Sequence, residues 1–129
     1  MEKNKAPKPT EAELEILQVL WERGPSSVRA VNERLNERRE VGYTTTLKLM
    51  QIMVEKGLAQ RNTESRTHIY RAAVSEKDTQ QRLLEKFVDT AFRGSAMKLV
   101  LQALGNHRAS TQELEEIKAL IDRMEQERD

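Results

Sequence analysis

The 129-residue chain contains no cysteine, which excludes disulfides, thiolate metal sites and cysteine nucleophiles together and fits a reducing compartment. No apolar run approaches the length needed to cross a bilayer, and the start, MEKNKAPKPT, lacks the apolar segment of a signal peptide, so a cytoplasmic location is expected. Aromatic residues are scarce at 4% against 33% charged residues. With a mean hydropathy of −0.75, this is the composition of a soluble, mainly helical protein whose surface is made of solvated helices. Catalytic signatures are missing as well: there is no Gly-rich phosphate loop, no G-x-S-x-G elbow and no His-Glu-x-x-His pair. His68 and His107 stand alone, and without a cysteine or a second close histidine they make no metal site. Glu115 and Glu116 read as a solvated helix face, not an acid/base pair. The expectation is a protein that is not an enzyme and that needs neither cofactor nor metal.

A chain of this length holds one ordinary domain, or a small one with an oligomerisation segment. Its net charge of +1 is unevenly distributed. From Gly24 to Val74, nine Lys/Arg face five acids, and from Ser75 to Asp129 nine face eleven. The N-terminal half thus suits a polyanion and the C-terminal half another task.

Residues 1–9 read as a flexible lead-in with three lysines and two prolines. Thr10 and Glu13 then form a capping box for a first helix whose apolar face is Leu14, Ile16, Leu17, Leu20 and Trp21, ended by Gly24-Pro25. Ser26 or Ser27 caps a second helix with Val28, Val31 and Leu35 inward, and the loop 36–42 leads to a third. Advancing about 100° per residue from Thr44 places Thr46, Leu49, Met50 and Met53 on one side of that third helix. Thr44, Lys48, Gln51 and Glu55 fall on the opposite stripe, flanked by Thr45, Leu47 and Ile52. Short hydrogen-bonding groups around one cation are what a helix needs to read base edges in a DNA groove. Gly57 stops the helix, and Leu58 to Arg61 and Thr67 to Arg71 read as two strands around the turn Asn62-Thr63-Glu64-Ser65. Arg61, Arg66 and Arg71 edge that ribbon, and His68 in it suits a phosphate contact.

Three helices followed by a hairpin is the order of a winged helix-turn-helix, in which the third helix enters the major groove. An ordinary amphipathic helix and hairpin would share the local pattern, and the order of elements around it favours the winged helix. The fold class expected is therefore mainly α with a small β wing: a DNA-binding domain over 10–74 and a helical dimerisation domain over 75–129.

In that second region, Ser75 caps a helix bearing Leu83, Leu84, Phe87, Val88, Ala91 and Phe92, broken at Gly94. A shorter helix carries Met97, Val100, Leu101 and Leu104 and closes at Gly105. Ser110 and Glu113 form a second capping box, before Leu114, Ile117, Ile121 and Met124 at the spacing of a coiled-coil seam. Three short amphipathic helices bury too little surface to stand alone. Their apolar faces need either the N-terminal core or a second copy of the chain, and the second copy is the economical partner.

The chain resembles the penicillinase-repressor family, which includes the β-lactamase, methicillin-resistance and copper-responsive CopY-type repressors. The resemblance is carried by ELEILQVLWERGPSSVRAVNERL, by YTTTLKLMQIMVEKGLAQR, by the wing strand ending in Tyr70, and by FVDTAFRGSAMKLVLQAL followed by STQELEEIKALI. It implies a dimeric repressor that binds a palindromic operator through an N-terminal winged helix. Ile52 stands where the family usually has a basic residue, so the family's operator preference does not transfer directly. The copper-responsive members use a cysteine-rich tail, which this chain lacks. In the antibiotic-responsive members repression is lifted by cleavage of an Asn-Phe bond in the C-terminal helices. The matching bond here is Gln102-Ala103, which implies a protease of different specificity or an unknown effector. A ligand-sensing repressor of another winged-helix type and a winged-helix module for protein contacts are the alternative readings.

Overall fold

A computed structural model describes residues 8–106 and 108–128. Most of the expected lead-in and His107 lie outside the described residues. Helix α1 spans Glu11–Arg23, α2 Val28–Leu35 and α3 Tyr43–Lys56, followed by strands β1 (Ala59–Asn62) and β2 (Ile69–Ala72). Three more helices complete the order: α4 (Glu76–Phe92), α5 (Ala96–Asn106) and α6 (Thr111–Glu127).

The helix starts follow their capping chemistry. Thr10 accepts from the Glu13 amide while Glu13 returns the bond to the Thr10 amide, at 3.1 and 3.0 Å, so the first capping box forms. The choice left open between Ser26 and Ser27 falls to Ser27, which accepts from the Ala30 amide at 3.1 Å. Ser26 instead exchanges backbone hydrogen bonds with Tyr70, joining the α1–α2 turn to the edge of β2.

Both strands start later than the sequence suggests. Gly57 takes φ 84° and ψ 11°, and the Leu58 amide closes the helix cap on the Met53 carbonyl at 2.9 Å. That amide is spent on the cap, so β1 begins at Ala59 instead of Leu58. At the other end, Ser65 Oγ donates to the Thr67 carbonyl at 2.9 Å and holds the tip as a turn, so β2 begins at Ile69 instead of Thr67. The strands pair antiparallel, with Ala59 opposite Ala72 and Arg61 opposite Tyr70.

The core lies among these first elements. Ile16, Leu17, Val19 and Leu20 of α1 meet Val28, Val31 and Leu35 of α2, Met50 and Met53 of α3, and Leu58, Ala59 and Tyr70 of the wing. The expected inward face of α2 is the observed one. On α1, Val19 is buried although it was not assigned inward, while Leu14 and Trp21 lie partly buried at the rim. An α1 sandwiched between α2, α3 and β2 is covered over more of its circumference than one apolar stripe provides.

The described residues fall into two compact units that divide between Leu83 and Leu84, inside α4. The start of α4 belongs to the first unit: Thr79 is buried, and Trp21 Nε1 donates to the Val74 carbonyl at 2.9 Å. In the second unit, Arg93 and Gly94 adopt positive φ of 51° and 83°, which ends α4. Helix α5 does not close at Gly105 but runs through it to Asn106. The second capping box forms at Ser110 and Glu113 and starts α6.

Candidate nucleic-acid interface

One side of α3 is committed to the core and the other is left bare. Thr46, Met50 and Met53 are buried, whereas Thr44, Thr45, Lys48, Gln51 and Glu55 are exposed. These are the two sides expected from the helical period. Ile52 sits half-buried at the margin of the bare side. Leu47, expected beside the stripe, is likewise half-buried and packs partly against the core cluster. Its position, about 60° from Met50 around the helix, places it at the boundary where packing decides. Tyr43, at the first turn, is half exposed and precedes the polar stripe.

The wing carries the remaining candidates. Arg61, Arg66 and His68 are all exposed, and Arg66 and His68 lie in the loop between the strands. The Glu64 amide donates to Asn62 Oδ1 at 2.9 Å, which shapes the near side of that loop. Arg71 instead reaches across the ribbon and donates to Gln60 Oε1, directly opposite it on β1.

Ion pairing sorts the basic residues further. Arg34 bonds Glu22 and Glu37, at 3.1 and 2.8 Å, and Arg39 pairs with Glu15 across α1. The Glu22 and Glu37 carboxylates hold the Arg34 guanidinium above its ordinary value, and Glu15 does the same for Arg39. Lys56 Nζ lies 2.7 Å from Glu13, a carboxylate only 2% exposed. Burial pushes that carboxyl up, but the Lys56 ammonium and the Thr10 amide and hydroxyl outweigh it and hold Glu13 below its ordinary value. Three cations of the N-terminal half are therefore satisfied within the fold. Lys48 on α3 and Arg61 and Arg66 on the wing have no acidic partner among the described residues, so their charge is available to a polyanion.

The C-terminal apolar residues are largely uncovered. Leu84, Phe87, Val100, Leu101, Leu104, Leu114, Ile121 and Met124 are exposed large hydrophobics, and Val88, Phe92 and Ile117 are half-buried. Met97 and Leu120 join them, the latter one turn before Met124, a spacing that the sequence contained. No residue of α5 or α6 is buried, and Phe87 and Phe92 meet edge-on at 5.6 Å. Gln102 and Ala103 are exposed within α5. No group of three or more His, Cys, Asp or Glu among the described residues is arranged to hold a metal ion, and no described helix is long and apolar enough to cross a membrane.

Three helices, a two-stranded wing and a bare polar stripe on the third helix define a winged helix-turn-helix protein with an appended helical region. The model of the penicillinase repressor family matches residues 9–123, and the chain belongs to that family. It is 22% identical over 120 residues to the methicillin resistance regulatory protein MecI of Mammaliicoccus sciuri, covering 93% of this chain and 98% of that one. Its identity to the penicillinase repressor of Bacillus licheniformis is 23% over 118 residues, covering 92% of each. The solution structure of the monomeric form of Bacillus licheniformis BlaI, in complex with the blaP half-operator, superimposes with a TM-score of 0.50 at 24% identity over 57% of this chain and 90% of that one.

Proposed function

We propose that this protein is a transcriptional repressor that binds operator DNA, with α3 reading bases in the major groove and the wing holding phosphates. The observation that carries the reading is the coincidence of two features on one unit. The outward stripe of α3 offers Thr44, Thr45, Lys48 and Gln51 free of the core, and the wing offers Arg61 and Arg66 without an acidic partner among the described residues. Lysine pairs with guanine O6 and N7 and glutamine with adenine N6 and N7, so Lys48 and Gln51 supply the two commonest kinds of base contact. Ile52 beside them presents an apolar surface suited to a thymine methyl. Arg61 on β1 and Arg66 and His68 in the loop between the strands suit the sugar-phosphate chain. Family membership and the operator complex of BlaI support the same reading.

Selection from a random duplex pool, followed by binding titrations, tests it. Lys48→Ala or Gln51→Ala is expected to cost about 1–3 kcal/mol on the selected duplex and to relax base preference at one position. Arg66→Ala is expected to weaken all duplexes alike and to reduce the salt slope by roughly 0.9, the value of one lost phosphate contact. Equal losses on selected and scrambled DNA for the α3 variants would remove base reading by these residues.

Under the same reading, the helices expected over 75–129 serve dimerisation, chiefly through the part beyond Leu83. Exposed apolar rows on α4, α5 and α6, with nothing buried in α5 or α6, support a second copy as their cover. A two-fold dimer then matches a palindromic site with half-sites separated by about one DNA turn or a multiple of it.

Release from the operator does not run through the family's usual bond. Gln102-Ala103 lies in the interior of α5, so a protease must first unwind that helix to obtain an extended substrate. Ala103 also offers no large group to fill a subsite, whereas an aromatic buried there contributes about 3–5 kcal/mol. Mass spectrometry of the protein from a β-lactam-treated culture is expected to show the chain intact at this bond. A new terminus at Ala103 would overturn that expectation, and an intact chain that still leaves its operator points to a ligand or another partner.

A further inference from the structure

A reading helix discriminates between sequences only if it is held at one angle and one depth. The apolar face of α3 supplies part of this hold, with Leu47, Leu49 and Val54 packed against the core cluster beside its fully buried residues. Its buried residues are Thr46, Met50 and Met53, and two methionines give a contact that adapts to small displacements, because an unbranched thioether re-packs readily. Hydrogen bonds have no such tolerance, and a group of them gathers at the start of α3.

Asn32, in the middle of α2, uses both hydrogens of its amide there. Nδ2 donates to the Val41 carbonyl at 3.0 Å and to Thr46 Oγ1 at 2.9 Å. The Thr46 hydroxyl is fully buried and donates in turn to the Gly42 carbonyl at 3.3 Å, so it is both donor and acceptor. Asn36, one turn along, closes the same loop from the solvent side. Its Nδ2 donates to the carbonyls of Asn32 and Val41 at 2.7 and 2.9 Å, and its Oδ1 accepts from the Val41 amide at 3.1 Å. The backbone that enters α3 is thereby tied to α2 on both its donor and its acceptor side. Gly42, the N-cap, provides no side chain for that purpose.

We propose that Asn32, supported by Asn36, is a positioning residue for sequence discrimination: through Thr46 and Val41 it sets the placement of the first turns of α3 without touching DNA. The inference rests on the DNA-reading function proposed above. Contacts to phosphate from a projecting wing tolerate a small shift of α3, whereas two-point contacts to base edges do not. Loosening the link therefore lowers selectivity ahead of overall affinity.

The test compares Thr46→Val, which removes the hydroxyl at nearly constant shape, with Thr46→Ser, which keeps it. Fluorescence anisotropy at one salt concentration would measure binding of the full chain to a duplex selected by the wild type from a random pool and to a scrambled duplex of equal composition. For Thr46→Val the ratio of the two affinities is expected to fall about tenfold, with binding to the scrambled duplex unchanged. Thr46→Ser is expected to retain the wild-type ratio. Asn36→Ala, at an exposed position, is expected to lower the ratio about threefold and decides the matter alone if Thr46→Val fails to fold. A wild type with no preference between the duplexes would remove the DNA-reading function itself. A wild type that discriminates, beside folded variants that discriminate equally well or lose both affinities in proportion, would overturn the positioning role.

Discussion

Truncation after Leu83 is expected to leave a folded monomer that has lost about 10²- to 10⁴-fold in operator affinity, because two half-site contacts no longer share one binding event. The cut is placed at Leu83 because the start of α4 is part of the first unit. Removing it at Val74 would strip the buried Thr79 from that unit, along with the Ser75 hydroxyl that caps α4 on the Asp78 amide. The residues of the core cluster and those packed against it all lie before Ser75. Titrations of the truncated and full chains on the same duplex measure the loss, and sedimentation measures the assembly. A full-length chain that sediments as a monomer at micromolar concentration would dispose of the shared-event explanation.

Replacing Lys56 by methionine is expected to destabilise the first unit by about 2–4 kcal/mol at neutral pH, because it leaves the Glu13 carboxylate buried without its cation. The range is set below that of a fully buried pair because the Lys56 side chain is 28% exposed and its ammonium is already partly hydrated. The sign of the pH dependence follows from Glu13, whose carboxyl is held below its ordinary value in the folded wild type. Its contribution to stability is fully present above the ordinary carboxylate range and is lost as the pH falls through the lowered folded value. Without Lys56, burial is less opposed and the carboxyl titrates higher. The deficit of the variant is thus greatest near neutral pH and narrows in acid, where Glu13 is protonated in both proteins. Glu13→Gln, which keeps an acceptor for the Thr10 amide, is expected to cost less than Lys56→Met and to flatten the pH dependence. Urea unfolding at neutral and acidic pH measures each of these, and a deficit that stays constant across pH would show that the lost packing of the lysine stem is responsible.

Residues that act on near neighbours in the chain were legible in the sequence, and residues that act across it were not. Thr10 and Glu13 announce a helix start because a capping box is a matter of three residues' spacing, and the period of α3 separates Thr44, Lys48 and Gln51 from Thr46, Met50 and Met53 without any tertiary knowledge. The second role of Glu13 was invisible, since Lys56 lies 43 residues away and only the packing of α1 on α3 brings the two together. Val19 was missed for a related reason. It sits at the edge of an apolar stripe, where the number of neighbouring elements, not the helical period, decides burial. Asn32 and Asn36 gave no signal at all, because a single asparagine in a helix reads as neutral until the carbonyl it meets is known. The apolar rows of α4 to α6 were read from their spacing, and their exposure in the single chain accords with a region whose cover comes from elsewhere.

The chain has one tryptophan, and its indole N–H is bonded to the Val74 carbonyl, two residues before α4 begins. Emission excited at the red edge of the absorption band, where the two tyrosines do not absorb, consequently arises from a single indole located where the wing leads into α4. Detachment of that junction would expose the half-buried ring to water and release its hydrogen bond, so the colour of the emitted light reports the state of the junction without any added label.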